Sequence, residues 1–369
     1  MAEATTYDLI VIGAGPAGTS AAITAARSGA RVLLHEAGRF PRHKVCGEFV
    51  SSESLDLLTS LLGSHHQALL AGAPTITNAR LFLDGRVLRA PIKPPAVSIA
   101  RFDLDAALLQ SAESAGAEIR LQTTVQEISA VSPFRVVTTA GDFTGQAIIN
   151  AAGRWSKLTQ PPAQKSGAKW LGVKAHFLEP SPAPSVDLYF FDGGYCGVQP
   201  VKRESDPAST RINACAMVQA DRANSLAEVF ARHPELQERS RNWQPLSQPV
   251  STSPLLFRQP QPERNGILFA GDAACFIDPF VGDGISLALR SGTLAAECLL
   301  PFFRQTISLH AAARNYGASY AENFAGVFNA SSRIRQVLLL PRPIRKTLLH
   351  IVERTPAVTR YLMSRTRAS

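Results

Sequence analysis

Three glycines and one acidic residue near the start of the chain could together hold a dinucleotide. Gly13, Gly15 and Gly18 follow the spacing G-x-G-x-x-G, and Glu36 comes one helix and one strand later. The first glycine permits a tight turn, the second lets the backbone approach a pyrophosphate, and the third lets a helix pack closely on a strand. A carboxylate at position 36 can accept hydrogen bonds from the adenosine ribose. The chemistry predicted here is therefore dinucleotide binding.

The elements that must position these residues are visible in the same segment. Residues 9–12 suit a buried strand, residues 17–28 suit a helix, and residues 32–34 suit a second strand. The N-terminus of the helix directs free N–H groups and the positive end of its dipole towards the phosphates. Because strand, helix and acidic residue occur in the required order, the pattern favours dinucleotide binding over an ordinary glycine-rich turn.

The composition is that of a globular protein. The chain has 369 residues, of which 45% are hydrophobic and 18% charged. It contains no apolar run long enough to cross a bilayer, and its short polar start leaves no room for a secretory signal, so we expect a cytoplasmic protein. The five scattered cysteines have no C-x-x-C spacing, and the histidines have no metal-ligand spacing. We therefore predict no metal site and no disulfide framework.

The net charge of +9 is concentrated at the C-terminus. Residues 333–369 contain nine Arg and Lys against the single acid Glu353, and the remaining chain has 29 basic and 28 acidic residues. Nucleic-acid binding is not predicted, because neither interleaved aromatics nor a recognition motif accompanies the charge. Two hypotheses remain for residues 333–369: a basic amphipathic surface that contacts an anionic membrane, or helices packed on the body with solvated arginines.

A second segment continues the nucleotide-side architecture late in the chain. Residues 267–270 suit a strand, Gly271 and Asp272 follow it, and from Ile285 onward the pattern is mostly helical. Between the two segments the pattern is different. Residues 75–99 read as a hairpin, residues 125–147 as a β-meander, and runs within residues 168–220 as an antiparallel sheet. This interruption of the nucleotide segments favours FAD over NAD as the resident dinucleotide.

Residues 267–291 resemble the flavoprotein superfamily that contains the group A aromatic monooxygenases, the geranylgeranyl reductases and the flavin-dependent halogenases. The resemblance implies that Asp272, after Gly271, contacts the ribityl chain and that Pro279 borders the flavin ring. It also implies a helix from about Gly282 to Gly284 onward whose N-terminus faces the N1/O2 edge, where reduced flavin is negatively charged. The implied fold is α/β: a glutathione-reductase-like, Rossmann-type FAD-binding domain, an inserted antiparallel-sheet substrate domain and a helical C-terminus.

The resemblance also gives domain bounds and a set of cofactor contacts. The bounds are 1–75, 101–165 and 260–300 for the FAD-binding domain, 76–100 and 166–259 for the substrate domain, and 301–369 for a basic helical region. The predicted FAD contacts are Gly13, Gly15, Pro16, Ala17, Gly18, Glu36, Ala37, Arg42, Lys44, Cys46, Gly47, Arg101, Val125, Gly153, Gly271, Asp272, Pro279, Gly282, Gly284 and Ile285.

Two further motifs bear on cofactor binding. The segment from Arg101 resembles the Arg-x-x-Phe/Leu-Asp helix start of the superfamily, which implies that Arg101 reaches the cofactor; a surface salt bridge is the alternative. Asp103 is expected to cap that helix. Residues 150–157 resemble the Asp-Gly motif of the hydroxylases, but Ala152 occupies the aspartate position, which puts a role of this motif in nicotinamide binding in doubt.

Two segments resemble the geranylgeranyl reductase branch in particular. Residues 41–48 match its Pro-x-x-Lys-x-Cys-Gly segment, which implies that Cys46 lies beside flavin and substrate. Residues 194–200 resemble its Gly-Tyr-x-Trp-x-x-Pro segment, with Gly197 in place of the aromatic residue. Cys46 and Tyr195 are thus the candidate catalytic residues, because a nearby thiol could influence the proton delivery that follows hydride transfer. The alternative for Cys46 is a small buried hydrophobe.

The favoured function is an FAD-dependent oxidoreductase that reduces isoprenoid-like C=C bonds of a hydrophobic small molecule, with NAD(P)H as the electron donor. The alternative is a group A monooxygenase that hydroxylates an aromatic or lipid-like substrate in a dry pocket. A flavin-dependent halogenase is disfavoured because the Trp-x-Trp-x-Ile-Pro box is absent, and Trp155, Trp170 and Trp243 are isolated. A non-catalytic flavin-binding module is disfavoured by the extensive sheet in the middle of the chain.

Overall fold

The computed structural model describes residues 6–63, 67–155, 158, 169–202, 211–255, 257–338, 340 and 344. Its helices are α1 (Pro16–Arg27), α2 (Leu55–Leu62), α3 (Gln67–Ala71), α4 (Arg101–Ser114), α5 (Leu226–Phe230), α6 (Pro234–Ser240), α7 (Gly284–Phe303) and α8 (Leu309–Leu338). Single 3₁₀ turns lie at Ser52–Ser54, Gly153–Trp155, Gly271–Ala273 and Pro279–Val281.

The first sheet has the order β16-β17-β9-β1-β2-β6, with β7 and β8 attached through β9. Its strands are β1 (Thr6–Ile12), β2 (Val32–His35), β6 (Glu118–Arg120), β7 (Val125–Ile128), β8 (Phe134–Thr138), β9 (Gly141–Asn150), β16 (Glu263–Arg264) and β17 (Ile267–Phe269). The strands from β17 to β6 are parallel, with Leu9 opposite Val32 and Ala147. This is the parallel, Rossmann-type sheet that the glycine motif predicts.

The β-meander is present, with one difference from the sequence prediction. The sequence predicts a meander that ends at residue 147, but its last strand, β9, continues without a break to Asn150. It pairs with β8 on one side and with β1 on the other. Towards the end of β9, the side chains on both faces of the strand are buried. Helices cover one face of the sheet there, and the meander covers the other. The apolar run at the end of β9 is therefore a strand segment in the middle of the sheet, buried on both faces, and not a separate strand.

Helices α1, α4 and α7 share the core that covers one face of the first sheet. The approach of α7 to α1 is very close: a Cβ atom at Gly292 would lie 2.0 Å from the carbonyl oxygen of Ala17. Length and hydropathy would allow α7 to cross a membrane, and 56% of its most apolar window is buried within the fold. The contacts with α1 account for that buried face.

The start of α4 differs from the prediction. Asp103 was expected to be the N-cap, but the N-cap is Ala100, and Asp103 lies within the first turn. The physical reason is a capping group from a distant loop: the Glu48 carboxylate accepts a hydrogen bond from the Arg101 amide at 2.8 Å. This carboxylate satisfies one of the free N–H groups of the helix, so α4 can begin without a capping side chain of its own. One face of α4 is apolar and buried, with Leu104, Leu108 and Ala112.

The second sheet has the order β14-β10-β13-β12-β11-β4-β5-β3, and β15 pairs with β10. Its strands are β3 (Phe49–Val50), β4 (Thr75–Leu83), β5 (Arg86–Ser98), β10 (Trp170–Leu178), β11 (Ser185–Phe191), β12 (Gly194–Pro200), β13 (Arg211–Gln219), β14 (Gln244–Pro245) and β15 (Val250–Thr252). All its pairs are antiparallel except β4 with β11. Helices α5 and α6 belong to the chain segment that follows β13.

One strand of the second sheet, β3, comes early in the chain. Residues 1–75 were assigned to the FAD-binding domain, yet Phe49 and Val50 pair with Ser98 and Val97 of the second sheet. The segment before β3 therefore joins the two sheets. Of the C-terminal region 301–369, α8 is helical as expected, and the prediction for residues 345–369 lies outside the described part of the chain.

Candidate functional site

A cavity of about 2620 Å³ lies between the two sheets. Its walls come from the carboxyl ends of β1 and β2, the loop before β3, the N-terminus of α7, one face of the second sheet and one side of α8. Cavities that hold a single small ligand measure roughly 300 to 1,000 Å³. This cavity is therefore large enough for a dinucleotide and a second molecule together.

The nucleotide half of the cavity is built around the glycine motif. Gly13 has φ +98°, and a Cβ atom there would lie 2.5 Å from the carbonyl oxygen of Ala151. Gly15 is the N-cap of α1, and a Cβ atom there would lie 4.0 Å from its nearest neighbour, an Arg101 nitrogen, so open space lies before the helix. Gly18 does not line the cavity; its Cβ would lie 1.8 Å from the carbonyl oxygen of Gly13, as close helix packing requires.

Glu36 follows β2, and its carboxylate accepts most of its hydrogen bonds from groups of the protein itself. Its Oε2 accepts hydrogen bonds from the Ala14 amide at 2.9 Å and from Arg42 at 3.0 Å, and its Oε1 accepts one from the Gly38 amide at 2.7 Å. A carboxylate has about four acceptor sites. One site therefore remains for a ribose hydroxyl, and more become available if Arg42 turns towards a bound phosphate.

Arg101 lines the cavity in front of Gly15, but it is also one partner of a buried ion pair. Its guanidinium donates two hydrogen bonds to Asp105, at 2.6 and 2.8 Å, and Asp105 is fully buried. The salt bridge that was the alternative for Arg101 is therefore present, but its acidic partner is buried and not at the surface. Burial alone would lower the pKa of Arg101, but the Asp105 carboxylate outweighs it and raises that pKa.

Lys44 and Arg42 add two more basic groups to this part of the wall. Burial lowers the pKa of Lys44, with a further contribution from the charge of Arg42. Together with Arg101 these groups face two carboxylates, Glu36 and Asp105. The balance is a surplus of positive charge beside the N-terminus of α1, which suits a pyrophosphate.

The flavin half begins where β17 ends. Gly271 has φ +60° and packs against Ala17, and the half-exposed Asp272 side chain lies 3.7 Å from Arg154. Gly282 is in the left-handed region at φ +79°, and its Cβ would lie 3.2 Å from the Phe49 ring. A tight turn with a glycine thus precedes α7.

The N-terminus of α7 faces the same cavity. Asp283 is its N-cap but makes no capping hydrogen bond, and its Oδ1 accepts instead from Ser51 at 3.0 Å. Gly284 and Ile285 of the first turn line the cavity, as does Pro279. Free N–H groups and the positive dipole end are therefore available to a negative group in front of the helix.

The loop that carries Cys46 is fixed by side chains from the second sheet. The Asn213 amide donates to the carbonyl oxygens of Cys46 and Gly47, both at 2.9 Å. The Cys46 sulfur lies 3.3 Å from the Glu48 amide and interacts with the Arg101 guanidinium. Cys46 is half-buried and lines the cavity. Its thiol is therefore held at the wall by two hydrogen-bond donors.

Glu48, which was not among the predicted site residues, is the centre of this arrangement. It is fully buried, has φ +63°, and receives hydrogen bonds from Lys174 and, at 2.7 Å, from His176. Lys174 and His176 are buried on β10. Burial would raise the pKa of Glu48, but the Lys174 ammonium and the His176 hydrogen bond outweigh it and lower that pKa to about 2.

A signal for this cluster exists in the sequence. Lys174 and His176 alternate with Val173, Ala175 and Phe177, so one face of a strand carries two basic groups while the other is apolar. Such a strand in a buried sheet requires an acidic partner, because unpaired buried charges are costly. The partner could not be identified from sequence, because it is more than one hundred residues away.

The second half of the cavity is apolar. The predicted residue Tyr195 contributes its ring to this wall, whereas its hydroxyl is buried and has no hydrogen-bond partner in the described chain. Burial raises the pKa of Tyr195 well above its ordinary value, so the hydroxyl stays neutral. Further lining residues are Leu81, Leu88, Phe190, Met217, Leu255 and Phe280.

Gly197 also lines the apolar half, and its Cβ would lie 3.3 Å from Leu188. A larger side chain at this position would narrow the cavity. The glycine that departs from the reductase-branch motif therefore widens the substrate side in this chain.

The structure brings nearly all of the predicted site residues to one cavity. Besides those described above, the lining residues include Pro16, Ala17, Ala37, Gly47, Val125 and Gly153. Ala152 lines it too, without a carboxylate, and its amide donates to Asn150 at 3.0 Å. No cluster of three or more His, Cys, Asp or Glu that could hold a metal occurs among the described residues.

The arrangement fits FAD. Open space before Gly15, surplus positive charge beside it and a helix N-terminus at the other end lie along one cavity of sufficient volume. When bound, the pyrophosphate would lie between Gly15 and the basic groups, and the flavin would lie between Asp272 and the start of α7.

Comparisons with known proteins agree with this geometry. The chain is 28% identical to menaquinone reductase of Mycobacterium tuberculosis, over 91% of this chain and 85% of that protein. It is 24% identical to digeranylgeranylglycerophospholipid reductase 2 of Methanopyrus kandleri, over 90% of this chain and 86% of that protein. A brominase of Pseudoalteromonas luteoviolacea, named for a pyrrole-2-carbonyl carrier-protein substrate, is also 24% identical, over 81% of this chain and 78% of that protein.

Solved structures share the fold. A geranylgeranyl bacteriochlorophyll reductase-like protein from Thermoplasma acidophilum superposes with a TM-score of 0.71 at 20% identity, covering 92% of this chain and 90% of that one. A flavin-dependent brominase superposes with a TM-score of 0.79, also at 20% identity, covering 98% and 93%. Sequence profiles of FAD dependent oxidoreductases match residues 8–54 and residues 89–297. With more than half of its length matched and a cavity shaped for the dinucleotide, the chain belongs to the family of FAD dependent oxidoreductases.

Proposed function

We propose that this oxidoreductase reduces carbon–carbon double bonds in an isoprenoid lipid. The observation that carries the proposal is the continuity of the cavity: the flavin half opens directly into an apolar half walled by leucine and aromatic side chains. Apolar surface of this kind binds a hydrocarbon chain through burial from water. Two relatives support the proposal, because one is named for menaquinone and the other for a digeranylgeranyl lipid, and both are named reductases.

The chain's own residues divide the work of such a reaction. FAD, when bound, supplies hydride transfer to one carbon of the double bond. The other carbon needs a proton, and the Cys46 thiol is the candidate donor because Cys46 lies at the cavity wall. After the donation the sulfur still lies 3.3 Å from the Glu48 amide and beside the Arg101 guanidinium. One hydride and one proton together saturate the bond.

The walls of the apolar half serve to orient the substrate and to exclude water. Tyr195 contacts Phe280 edge to face, with ring centroids 6.0 Å apart, and Phe190 packs against both. Phe280 follows directly on Pro279 in the chain, so a substrate bound against these rings lies next to the flavin half. An apolar wall that excludes water also protects the reduced cofactor from side reactions.

NAD(P)H is the proposed electron donor. The support is chemical: a hydride donor matches a two-electron flavin reaction. Mixing the anaerobic holoprotein with NADPH or NADH and following the loss of the oxidised flavin absorbance tests the donor separately from the substrate. If neither nucleotide bleaches the flavin, the donor is of another class.

Anaerobic turnover tests the reaction itself. Holoprotein reduced in the absence of oxygen is incubated with a geranylgeranyl lipid and, as a matched control, with its fully saturated phytanyl counterpart. We expect the unsaturated lipid to gain hydrogens in pairs by mass spectrometry and to reoxidise the flavin, and the saturated lipid to do neither. A product that carries new oxygen or halogen, formed only when dioxygen is admitted, would instead show a monooxygenase or halogenase.

A further inference from the structure

The rim of the apolar half is formed by two elements that no part of the proposed chemistry uses. One is β5, which pairs with β4 along its length but with β3 only at Val97 and Ser98. Among the described residues, no strand pairs with the other edge of residues 87–93. The other is the last third of α8. Its residues Ala330, Ile334 and Val337, spaced three or four apart, face the cavity on one side of the helix.

This rim has apolar side chains that are partly exposed to solvent. Leu88 of β5 and Leu338 of α8 pack in one cluster with the lining of the cavity. The adjacent residues Val87 and Val337 also line the cavity, yet Val87 is 37% exposed and Val337 is 40% exposed. The apolar lining of the cavity therefore continues onto the surface at its mouth. A continuous exposed apolar surface of this kind is typical of an interaction site.

The same rim is positively charged. Arg89, Lys93 and Arg333 are exposed, line the mouth, and take part in no ion pair within the described residues. By contrast, Arg80, which lies opposite Arg89 on β4, is paired with the buried Asp187. Downstream of α8 the sequence adds seven more basic residues and one acid. Unpaired cations around an apolar opening are complementary to an anionic, apolar partner.

We propose that the rim formed by β5 and the end of α8 docks on an anionic lipid bilayer, so that a lipid substrate passes from the membrane into the cavity without crossing water. The route of the substrate rests on the proposed function, whereas docking can be measured without any turnover. Each Arg or Lys near an anionic membrane surface strengthens binding about fivefold, and salt weakens the effect. Val87 and Val337 then enter the headgroup region.

Vesicle flotation with the FAD-loaded full chain tests the docking surface. The vesicles are neutral phosphatidylcholine or phosphatidylcholine with phosphatidylglycerol. The test variant Arg89→Glu/Arg333→Glu is compared with Arg304→Glu/Arg314→Glu, which makes the same change of charge at exposed residues near the other end of α8. Bound flavin and the circular dichroism spectrum show that both variants fold.

We expect the unmodified protein to float with the anionic vesicles only, and the rim variant to lose at least about tenfold in partition coefficient. The control variant should stay within about threefold of the unmodified protein. Equal losses in both variants, no loss in the rim variant, or no binding of the unmodified protein to anionic vesicles would each overturn the proposal.

A second pair of variants tests the apolar contact. Val337→Asp should weaken vesicle binding, whereas Val131→Asp makes the same change at an exposed loop residue of the nucleotide side and should not. If the two aspartates weaken binding equally, the rim has no special contact with lipid. If the reductase assay fails while the rim variants behave as expected, the proposed reaction is wrong and the docking surface stands.

Discussion

Replacing Lys174 by methionine tests whether the buried Glu48 cluster holds the cavity wall. Glu48 and Lys174 are almost fully shielded from solvent, and the carboxylate also accepts hydrogen bonds from His176 and from the Arg101 amide. Methionine has nearly the volume of the lysine stem, so little void is created. What remains is a buried carboxylate without its strongest counter-charge. Removing one partner of a buried ion pair costs about 3 to 5 kcal/mol.

The size and the pH dependence of the stability loss in Lys174→Met follow from these contacts. For 369 residues the unfolding entropy is about 0.8 kcal/mol/K, so the melting temperature should fall by about 4 to 6 °C. In the unmodified protein the pKa of Glu48 is lowered to about 2, because Lys174 and His176 outweigh burial. Its contribution to stability is therefore complete above the ordinary carboxyl pKa and is lost only in strong acid. Without Lys174 burial raises the pKa of Glu48, and protonation relieves the unpaired charge, so the deficit should shrink from pH 8 to pH 5.

Urea unfolding of the FAD-loaded protein at several pH values measures the stability deficit of Lys174→Met and its change with pH. The exposed Lys169→Met, next to β10, is the matched control and should change stability by less than about 0.5 kcal/mol. The double variant Glu48→Gln/Lys174→Met should recover most of the loss, because it leaves no unpaired charge. A loss below about 1 kcal/mol, or one that is the same at every pH, would refute the electrostatic account of the cluster.

Three further predictions concern the cofactor, the proton donor and α8. Gly15→Ala should lower FAD affinity at least about tenfold in a titration while changing the stability of the FAD-free protein by less than about 1 kcal/mol, because its Cβ meets only open space. Cys46→Ala should lower turnover and leave bound FAD intact; unchanged turnover would remove the thiol from the mechanism. Burial, opposed by Arg335, raises the pKa of Asp278 from 3.8 to about 6, so the unmodified protein should lose about 2 to 3 kcal/mol as pH rises from 4 to 6. Asp278→Asn should abolish this pH dependence of the unfolding free energy. If the variant shows the same pH dependence as the unmodified protein, Asp278 is not its cause.

The parts of the site that sequence predicted are those whose requirements are local. Gly13 needs a left-handed backbone conformation and Gly18 needs the absence of a side chain, and both demands are met within a few residues of chain. The turn at Gly282 before α7 is another such case. Each glycine therefore marks its own position without information about the rest of the fold.

The parts that sequence missed depend on contacts between the two sheets. The expectation for Asp103 failed because Glu48, far away in the chain, occupies the position of the missing cap. The expectation for Arg101 was incomplete, because the same side chain both lines the cavity and pairs with the buried Asp105. Periodicity and motif spacing carry no information about such pairs, since both partners also suit ordinary solvent-exposed positions.

Glu48 has consequences for how the site assembles. Its single carboxylate bonds to the first turn of α4 on the nucleotide side and to Lys174 and His176 on the second sheet. It also holds a left-handed conformation, which costs about 1 to 3 kcal/mol and persists only where surrounding contacts compensate. Because those contacts come from both halves of the protein, the position of the loop that carries Cys46 depends on the packing of the two sheets against each other. The thiol is thus placed by contacts that are distant in sequence, whereas the left-handed turn at Gly13 is a local property of the glycine motif.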